Sequence, residues 1–142
     1  MARVAVIVPT YNRAEKVVEA IRSVLAQTHG DYEVWVVDDG STDETASAVK
    51  PLLGERVHYV HQPNGGVTRA RNHGIRRSHG DYVALLDSDD TCLPERLERQ
   101  TGILDANPEA GLVFSDLWKV YPDGGRHRFT ETVPGFAPVF RP

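Results

Sequence analysis

Tyr32-Glu33-Val34-Trp35-Val36-Val37-Asp38-Asp39-Gly40-Ser41-Thr42-Asp43-Glu44 decides how the chain folds. Its first half is a short valine-rich run without in/out alternation, the pattern of a strand covered on both faces. Two adjacent aspartates end the run. Ser41 and Glu44 then have the spacing of a capping box, so a helix is expected to begin almost at once. A strand that passes into a helix through so short an acidic loop is half of a parallel β/α unit. Outward from this stretch the same alternation continues, with candidate strands at 4–8, 57–61, 82–86 and 112–115. The runs at 4–8 and 82–86 also lack alternation and are expected to share the sheet centre with 32–37. Between them lie helical stripes of Val17, Ile21, Val24 and Leu25, of Ala46, Val49 and Leu53, of Val67, Ala70 and Ile75, and of Leu93, Leu97 and Leu104. The expected fold class is therefore α/β, a Rossmann-like three-layer α/β/α sandwich with a mainly parallel central sheet.

Two further features punctuate this pattern. His29-Gly30-Asp31-Tyr32 and His79-Gly80-Asp81-Tyr82 each join a helix to a strand, with glycine expected at the helix C′ position. Tyr121-Pro122-Asp123-Gly124-Gly125 is a strong turn cluster whose flanks can pair as a hairpin. The domain is expected over residues 1–132. Residues 133–142, with three prolines and a glycine, read as an extended tail or a cut end.

Composition narrows the classes of function. With 142 residues the chain has the size of one domain, and no apolar run approaches the ~20 residues of a membrane helix. Net charge is −4 and the lysines Lys16, Lys50 and Lys119 are scattered, so no basic face for nucleic acid is offered; the nearest cluster is Arg69, Arg71, Arg76 and Arg77. Cys92 stands alone, which excludes an internal disulfide and suits a reducing compartment. The expected location is the cytoplasm, with the cytoplasmic face of a membrane left open.

In an open parallel sheet, ligands sit beyond the carboxyl ends of the strands. The first strand delivers Pro9-Thr10-Tyr11-Asn12 there, the second Asp38-Asp39-Gly40-Ser41, the third Asn64-Gly65-Gly66, and the fourth Asp87-Ser88-Asp89-Asp90. So many carboxylates on one edge repel each other unless a cation or a donor-rich ligand intervenes. Ligands that are all oxygen, with no nearby cysteine, point to Mg²⁺ or Mn²⁺ completed by phosphate oxygens. His58 and His61 are three apart on a strand and face opposite ways, which argues against a histidine site. Asp39 can accept hydrogen bonds from a base or ribose, and the Tyr11 ring can stack on a base. Plainer readings stand beside these: Asp38 bracing the second helix, Tyr11 packing in the core, and Arg71 pairing with a strand-end carboxylate.

Pro9-Thr10-Tyr11-Asn12, Gln27-Thr28, Asp38-Asp39-Gly40-Ser41-Thr42-Asp43, Gly65-Gly66 with Ala70-Arg71-Asn72 and Gly74, and Asp87-Ser88-Asp89-Asp90 together resemble family 2 glycosyltransferases. The resemblance covers roughly residues 2–118 and rests on five separated motifs in order. It implies the nucleotide-sugar-binding part of a GT-A fold, a UDP-sugar or other NDP-sugar donor, Mg²⁺ or Mn²⁺, and an unknown saccharide or lipid acceptor. It puts Thr10 and Tyr11 beside the nucleobase, Asp39 on the base, Arg71 near the nucleotide, Asp87 on the ribose and the metal on Asp89 with Asp87 sharing it, and counts Pro9 and Ser88 among the nucleotide-binding residues. Transfer is implied to be inverting, with an acceptor hydroxyl deprotonated by a carboxylate. In the family that base comes from a later acidic motif, so no residue of this chain is assigned to it. An uncovered edge of the core would favour self-association.

Two rivals remain in view. Ala84-Leu85-Leu86-Asp87-Ser88-Asp89 also resembles the nucleophile motif of haloacid-dehalogenase-type phosphatases, with Ser115 imitating their second motif and only Lys119 and Asp123 following. That reading leaves the four upstream motifs unexplained. A non-catalytic nucleotide-sugar-binding module is the other alternative.

Overall fold

A computed structural model describes residues 3–132, so the expected tail at 133–142 lies outside the described residues. The chain divides into two compact units, Met1–Gly102 and Ile103–Pro142. In the first, β1 (Val4–Thr10), β2 (Tyr32–Asp38), β3 (Val57–His61) and β4 (Tyr82–Leu85) form one parallel sheet in the order β3-β2-β1-β4. Helices α1 (Ala14–Leu25), α2 (Thr45–Val49), α3 (Val67–Arg77) and the start of α4 (Arg96–Ala106) follow the strands in turn.

The period-2 geometry of β1 and β2 sorts their side chains into two cores. Val4, Val6, Val8, Val34 and Val36 pack with Val17, Ala20, Ile21 and Val24 of α1, Val49 of α2 and Leu97 of α4. On the opposite face Ala5, Ile7 and Val37 pack with Ala70 of α3. Both faces are thus covered, and the three-layer α/β/α expectation holds. Every residue of β1 is buried, and each fully buried valine or isoleucine contributes about 1.5–3 kcal/mol.

The second layer of helix depends on Gly74. A Cβ at this position would lie 2.7 Å from Ile7 Cγ2 and 3.0 Å from Val37 Cγ2. Only glycine lets α3 approach the two central strands this closely, which brings Arg71, one turn earlier, down to the sheet edge.

Several expectations need correction. β4 is at the edge of the sheet, not its centre: Val83 and Leu85 are 45% and 42% exposed. They continue the face of Ala5 and Ile7, to which they are paired, so the run is apolar without being covered twice. The capping box does not form. α2 starts at Thr45, whose N–H and hydroxyl both bond Asp43 Oδ1, and Ser41 is used elsewhere. Thr45 and Val49, not Ala46 and Leu53, make its buried stripe. Neither Gly30 nor Gly80 caps a helix, since α1 and α3 end at Leu25 and Arg77; Gly80 instead packs against β1, where a Cβ would lie 2.6 Å from the Ala5 nitrogen.

In the second unit residues 112–115 form no strand. The expected hairpin is present, with β5 (Trp118–Val120) antiparallel to β6 (Arg126–Arg128) and Gly124 at φ 83° in the turn. The short helix α5 (Phe129–Thr132) follows. Among the described residues no helix is long and apolar enough to cross a membrane.

Gly74→Ala is expected to lower unfolding stability by about 1–2 kcal/mol, overpacking against two stiff β-branched side chains outweighing the gain in helix propensity. Urea denaturation checks this. Gly30→Ala, with open space around its Cβ, is the control and is expected to leave the midpoint unchanged.

Candidate functional site

The carboxyl ends of the four parallel strands are tied to one another by side chains rather than left as separate loops. Asn12, just past β1, sits in the left-handed region at φ 51°, a conformation its short amide tolerates. From there its N–H donates to Ser41 Oγ at 2.8 Å, and its Oδ1 accepts from the Thr42 N–H at 2.8 Å. The N–H groups of Arg13 and Ala14, which open α1, donate to Thr45 Oγ1 and Asp43 Oδ2. Asp43 therefore serves the first turns of two helices. Hydrogen bonds from Thr45, above all, hold its carboxyl below the ordinary carboxylate value.

Asp38 and Asp39 are adjacent and almost fully buried, at 1% and 4% exposure. Each is compensated separately. Asp38 accepts from the Ser41 N–H at 2.8 Å and the Tyr59 hydroxyl at 2.5 Å, with His61 Nδ1 at 3.7 Å. Burial pushes its pKa up, but the Tyr59 and Ser41 hydrogen bonds outweigh burial and leave it below the ordinary value. The same burial, with the Asp38 bond, raises the Tyr59 pKa. Asp38 thus braces the turn that leaves β2 and ties it to β3, rather than α2 itself.

Asp39 has other partners. Gln62 Nε2 and the Gly65 N–H donate to its Oδ1 at 2.6 and 2.9 Å, and the Gly66 N–H donates to Oδ2 at 2.7 Å. Gly66, at φ 87°, is the residue before α3. The carboxylate of Asp39 therefore shapes the whole glycine turn. Gln62 is in turn held by His73 Nδ1, 2.7 Å from its Oε1.

The β4 end carries the third group. Ser88 is buried, whereas the Asp87 and Asp89 side chains are about half exposed, at 48% and 50%. Arg71 Nη2 donates to Asp87 Oδ1 at 2.5 Å, and Arg13 Nη1 pairs with Asp89 Oδ2. The Arg13 bond, first of all, holds Asp89 below the ordinary carboxylate value. Asp90 goes the other way: burial, then the Asp89 and Asp87 charges, push it up. Downstream, Gln27 and Thr28 of the α1 end anchor this loop. Gln27 donates to the Leu93 carbonyl at 2.7 Å and accepts from the Leu97 N–H at 2.9 Å, and the Thr28 hydroxyl donates to Glu98 at 2.6 Å.

Of the expected site residues, Thr10, Asp39, Arg71, Asp87 and Asp89 all belong to this linked edge. Tyr11 is 47% exposed there, not in the core. Pro9 is buried within β1, opposite Val37. Among the described residues four buried side-chain polar atoms have no hydrogen-bond partner: His29 Nε2 and Trp35 Nε1 elsewhere, and Thr10 Oγ1 and Arg71 Nε on this edge. Buried donors without partners are costly and rare, and the last two lie where a ligand is expected. Gln62 and Arg13 were missed in the sequence reading. Arg13 had a signal, since it directly follows Asn12 at the helix entrance; Gln62 had none.

A family model described as glycosyl transferase family 2 matches residues 5–137. An uncharacterized glycosyltransferase of Rickettsia bellii is 43% identical over 107 residues, which are 75% of this chain and 16% of that protein. S. aureus TarS 1–349 in complex with UDP-GlcNAc superposes with a TM-score of 0.69 at 33% identity, over 75% of this chain and 32% of that one. The mannosyltransferase PcManGT from Pyrobaculum calidifontis, in complex with GDP-Man and Mn²⁺, gives 0.68 at 35% identity, over 78% of this chain and 34% of that one. The chain therefore spans from a sixth to a third of the length of these relatives.

Tyr59→Phe is expected to destabilise the fold by about 1–3 kcal/mol at pH 7, because the buried Asp38 carboxylate loses a donor. Since Asp38 is depressed in the folded state, its stabilisation is present above about pH 4 and is lost as pH falls through the lower folded value. The gap between variant and parent in chemical denaturation is therefore expected to narrow below about pH 4.

Proposed function

The chain belongs to glycosyl transferase family 2 and has the GT-A fold of its solved relatives, and on that premise we propose that it is the donor-binding part of a metal-dependent, inverting glycosyltransferase. The donor is a nucleotide-diphosphate sugar, most simply a UDP-sugar, as in the TarS complexes. The observation that carries this reading is the pair of buried, unpartnered donors, Thr10 Oγ1 and Arg71 Nε, near Asp39, whose carboxylate is held by Gln62 and the glycine-turn amides. A nucleotide supplies acceptors for both.

In this reading Asp39, already fixed by Gln62 and the Gly65 and Gly66 amides, uses a remaining lone pair to accept an N–H of the base. Tyr11 covers the base, with Pro9 and Thr10 forming its bed. Asp87 and Ser88 meet the ribose hydroxyls, and Arg71 faces the nucleotide. Residues 1–132 act together as the donor domain.

The metal fits the residues present, within limits. Among the described residues no three His, Cys, Asp or Glu side chains are grouped to hold a metal by themselves. Mg²⁺ and Mn²⁺ do not require this: one or two carboxylates with phosphate oxygens and water suffice. Asp89, with Asp87, would hold it; the raised Asp90 pKa comes first from burial and only then from the Asp89 and Asp87 charges that a cation would offset. Arg13 occupies the Asp89 carboxylate meanwhile. A divalent ion bound there would offset the charge that develops on the departing diphosphate. The attack itself, by an acceptor hydroxyl that a carboxylate deprotonates, is assigned to no base in this chain, and the acceptor is a saccharide or lipid of unknown identity. Membership of the family leaves the dehalogenase-type reading of Asp87 without support.

Titration calorimetry with UDP is expected to show binding with Mg²⁺ or Mn²⁺ that falls at least tenfold in EDTA, and Asp89→Asn is expected to remove the metal-dependent part. Equal affinity with and without metal would refute the metal assignment. Asp39→Ala is expected to weaken UDP in both conditions, since it removes a base contact and frees the glycine turn.

A further inference from the structure

Beside the strand-end site lies a concave feature that borders it at Gln62 and whose basic side chains the nucleotide reading does not use. His61 at the end of the edge strand β3 and the side chains of Arg69, His73, Arg76 and Arg77 on α3 line an open cleft of about 480 Å³. On the helix these four residues fall at i, i+4, i+7 and i+8, so they form one stripe. The buried stripe of the same helix, Ala70 and Gly74, is separate from it.

We propose that this cleft binds the phosphate oxyanions of a ligand distinct from the nucleotide. The chain carries net charge −4, yet here three arginines gather beside two histidines, and the one acid in reach is Asp38, 3.7 Å from His61 Nδ1 and already bonded by Ser41 and Tyr59. Among the described residues, none of the three arginines has an ion pair or a side-chain hydrogen bond. Arg76 and Arg77 are in the last turn of α3, where the helix dipole favours cations; Arg69 is in the first turn, where it disfavours them. Helix stability therefore does not account for Arg69.

Nor is Arg69 a free surface chain. Its methylene stem lies over Gly65, so closely that a Cβ at Gly65 would collide with Arg69 Cδ. His73 is likewise fixed, by Gln62 Oε1 at 2.7 Å. The His73 ring and the Arg69 stem are thus placed at the cleft, which lowers the entropy cost of binding. Guanidinium forks match phosphate oxygens in bidentate geometry, and three around one cleft exceed what a single carboxylate can use. Gln62 belongs to both sites, through His73 on one side and Asp39 on the other.

The binding arm needs no nucleotide, so its failure is distinguishable from failure of the donor-site reading, and UDP with metal enters only as a competitor. Inorganic tripolyphosphate is titrated into the chain in EDTA, followed by calorimetry and by the imidazole resonances of His61 and His73. Saturable binding that shifts both resonances is expected, weakened at least tenfold in Arg69→Gln/Arg76→Gln/Arg77→Gln. All three side chains are exposed, so the fold and its melting point are expected to be retained. The control Arg22→Gln/Arg99→Gln, exposed arginines elsewhere, is expected to bind as the parent does. A parallel arm uses vesicles of phosphatidylglycerol in phosphatidylcholine: binding to both probes through the same arginines points to a lipid-borne phosphate, and binding to tripolyphosphate alone to a free one. Absence of binding to either probe, equal loss in the control variant, or full displacement by UDP with metal would overturn the proposal.

Discussion

Two carboxylates in succession, Asp38 and Asp39, are buried at the end of a central strand, and the layout of the binding edge follows from what each needs. An unpaired buried carboxylate costs several kcal/mol, so neither side chain can exist there without donors. Asp38 takes them from within its own strand end and from Tyr59 of the neighbouring strand. Asp39 takes them from the third strand's loop, through Gln62, Gly65 and Gly66. The first requirement sets the turn into α2, and the second sets the turn into α3. Because α3 is seated on the sheet by Gly74, fixing its start also fixes where Arg71 meets Asp87.

The remaining links close the edge. Asn12 and Ser41 join the first and second strand ends, Arg13 and Asp89 the first and fourth, and Arg71 and Asp87 the third connection and the fourth. These three are exposed or half exposed, unlike the buried aspartate contacts. Surface ion pairs contribute about 0–1 kcal/mol, so the Arg13 and Arg71 contacts can exchange for a ligand at small cost while the Asp38 and Asp39 networks persist. A rigid floor with replaceable pairs above it is the arrangement that preorganised binding calls for.

Much of this was legible in the sequence, because parallel strands covered on both faces announce themselves as valine runs and because the chemistry-bearing residues directly follow those runs. Thr10, Asp39, Asp87 and Asp89 stand at such strand ends, whereas Arg71, inside α3, is singled out only by the family resemblance. Three things were hidden. The 82–86 run reads as central, but burial on the second face depends on whether α3 reaches it, and α3 does not cover Val83 or Leu85. The capping box failed because Ser41 is taken by the Asn12 amide, 29 residues away, a competition no local pattern reveals. Gln62 carries no local signal either, and its part in holding Asp39 exists only once β3 and α3 are packed.

The central claim is that the linked strand ends of this family 2 chain form the nucleotide site, with Thr10, Asp39, Arg71 and Asp87 around the nucleoside and Asp89 at the metal. A crystal structure of the chain grown with UDP and Mn²⁺ tests it most directly. The predicted result is a uracil bounded by Tyr11 and Asp39, ribose hydroxyls at Asp87, and Mn²⁺ between Asp89 and the diphosphate, with Thr10 Oγ1 and Arg71 Nε no longer without partners. UDP seated elsewhere, or seated here with Mn²⁺ touching neither Asp87 nor Asp89, would contradict it.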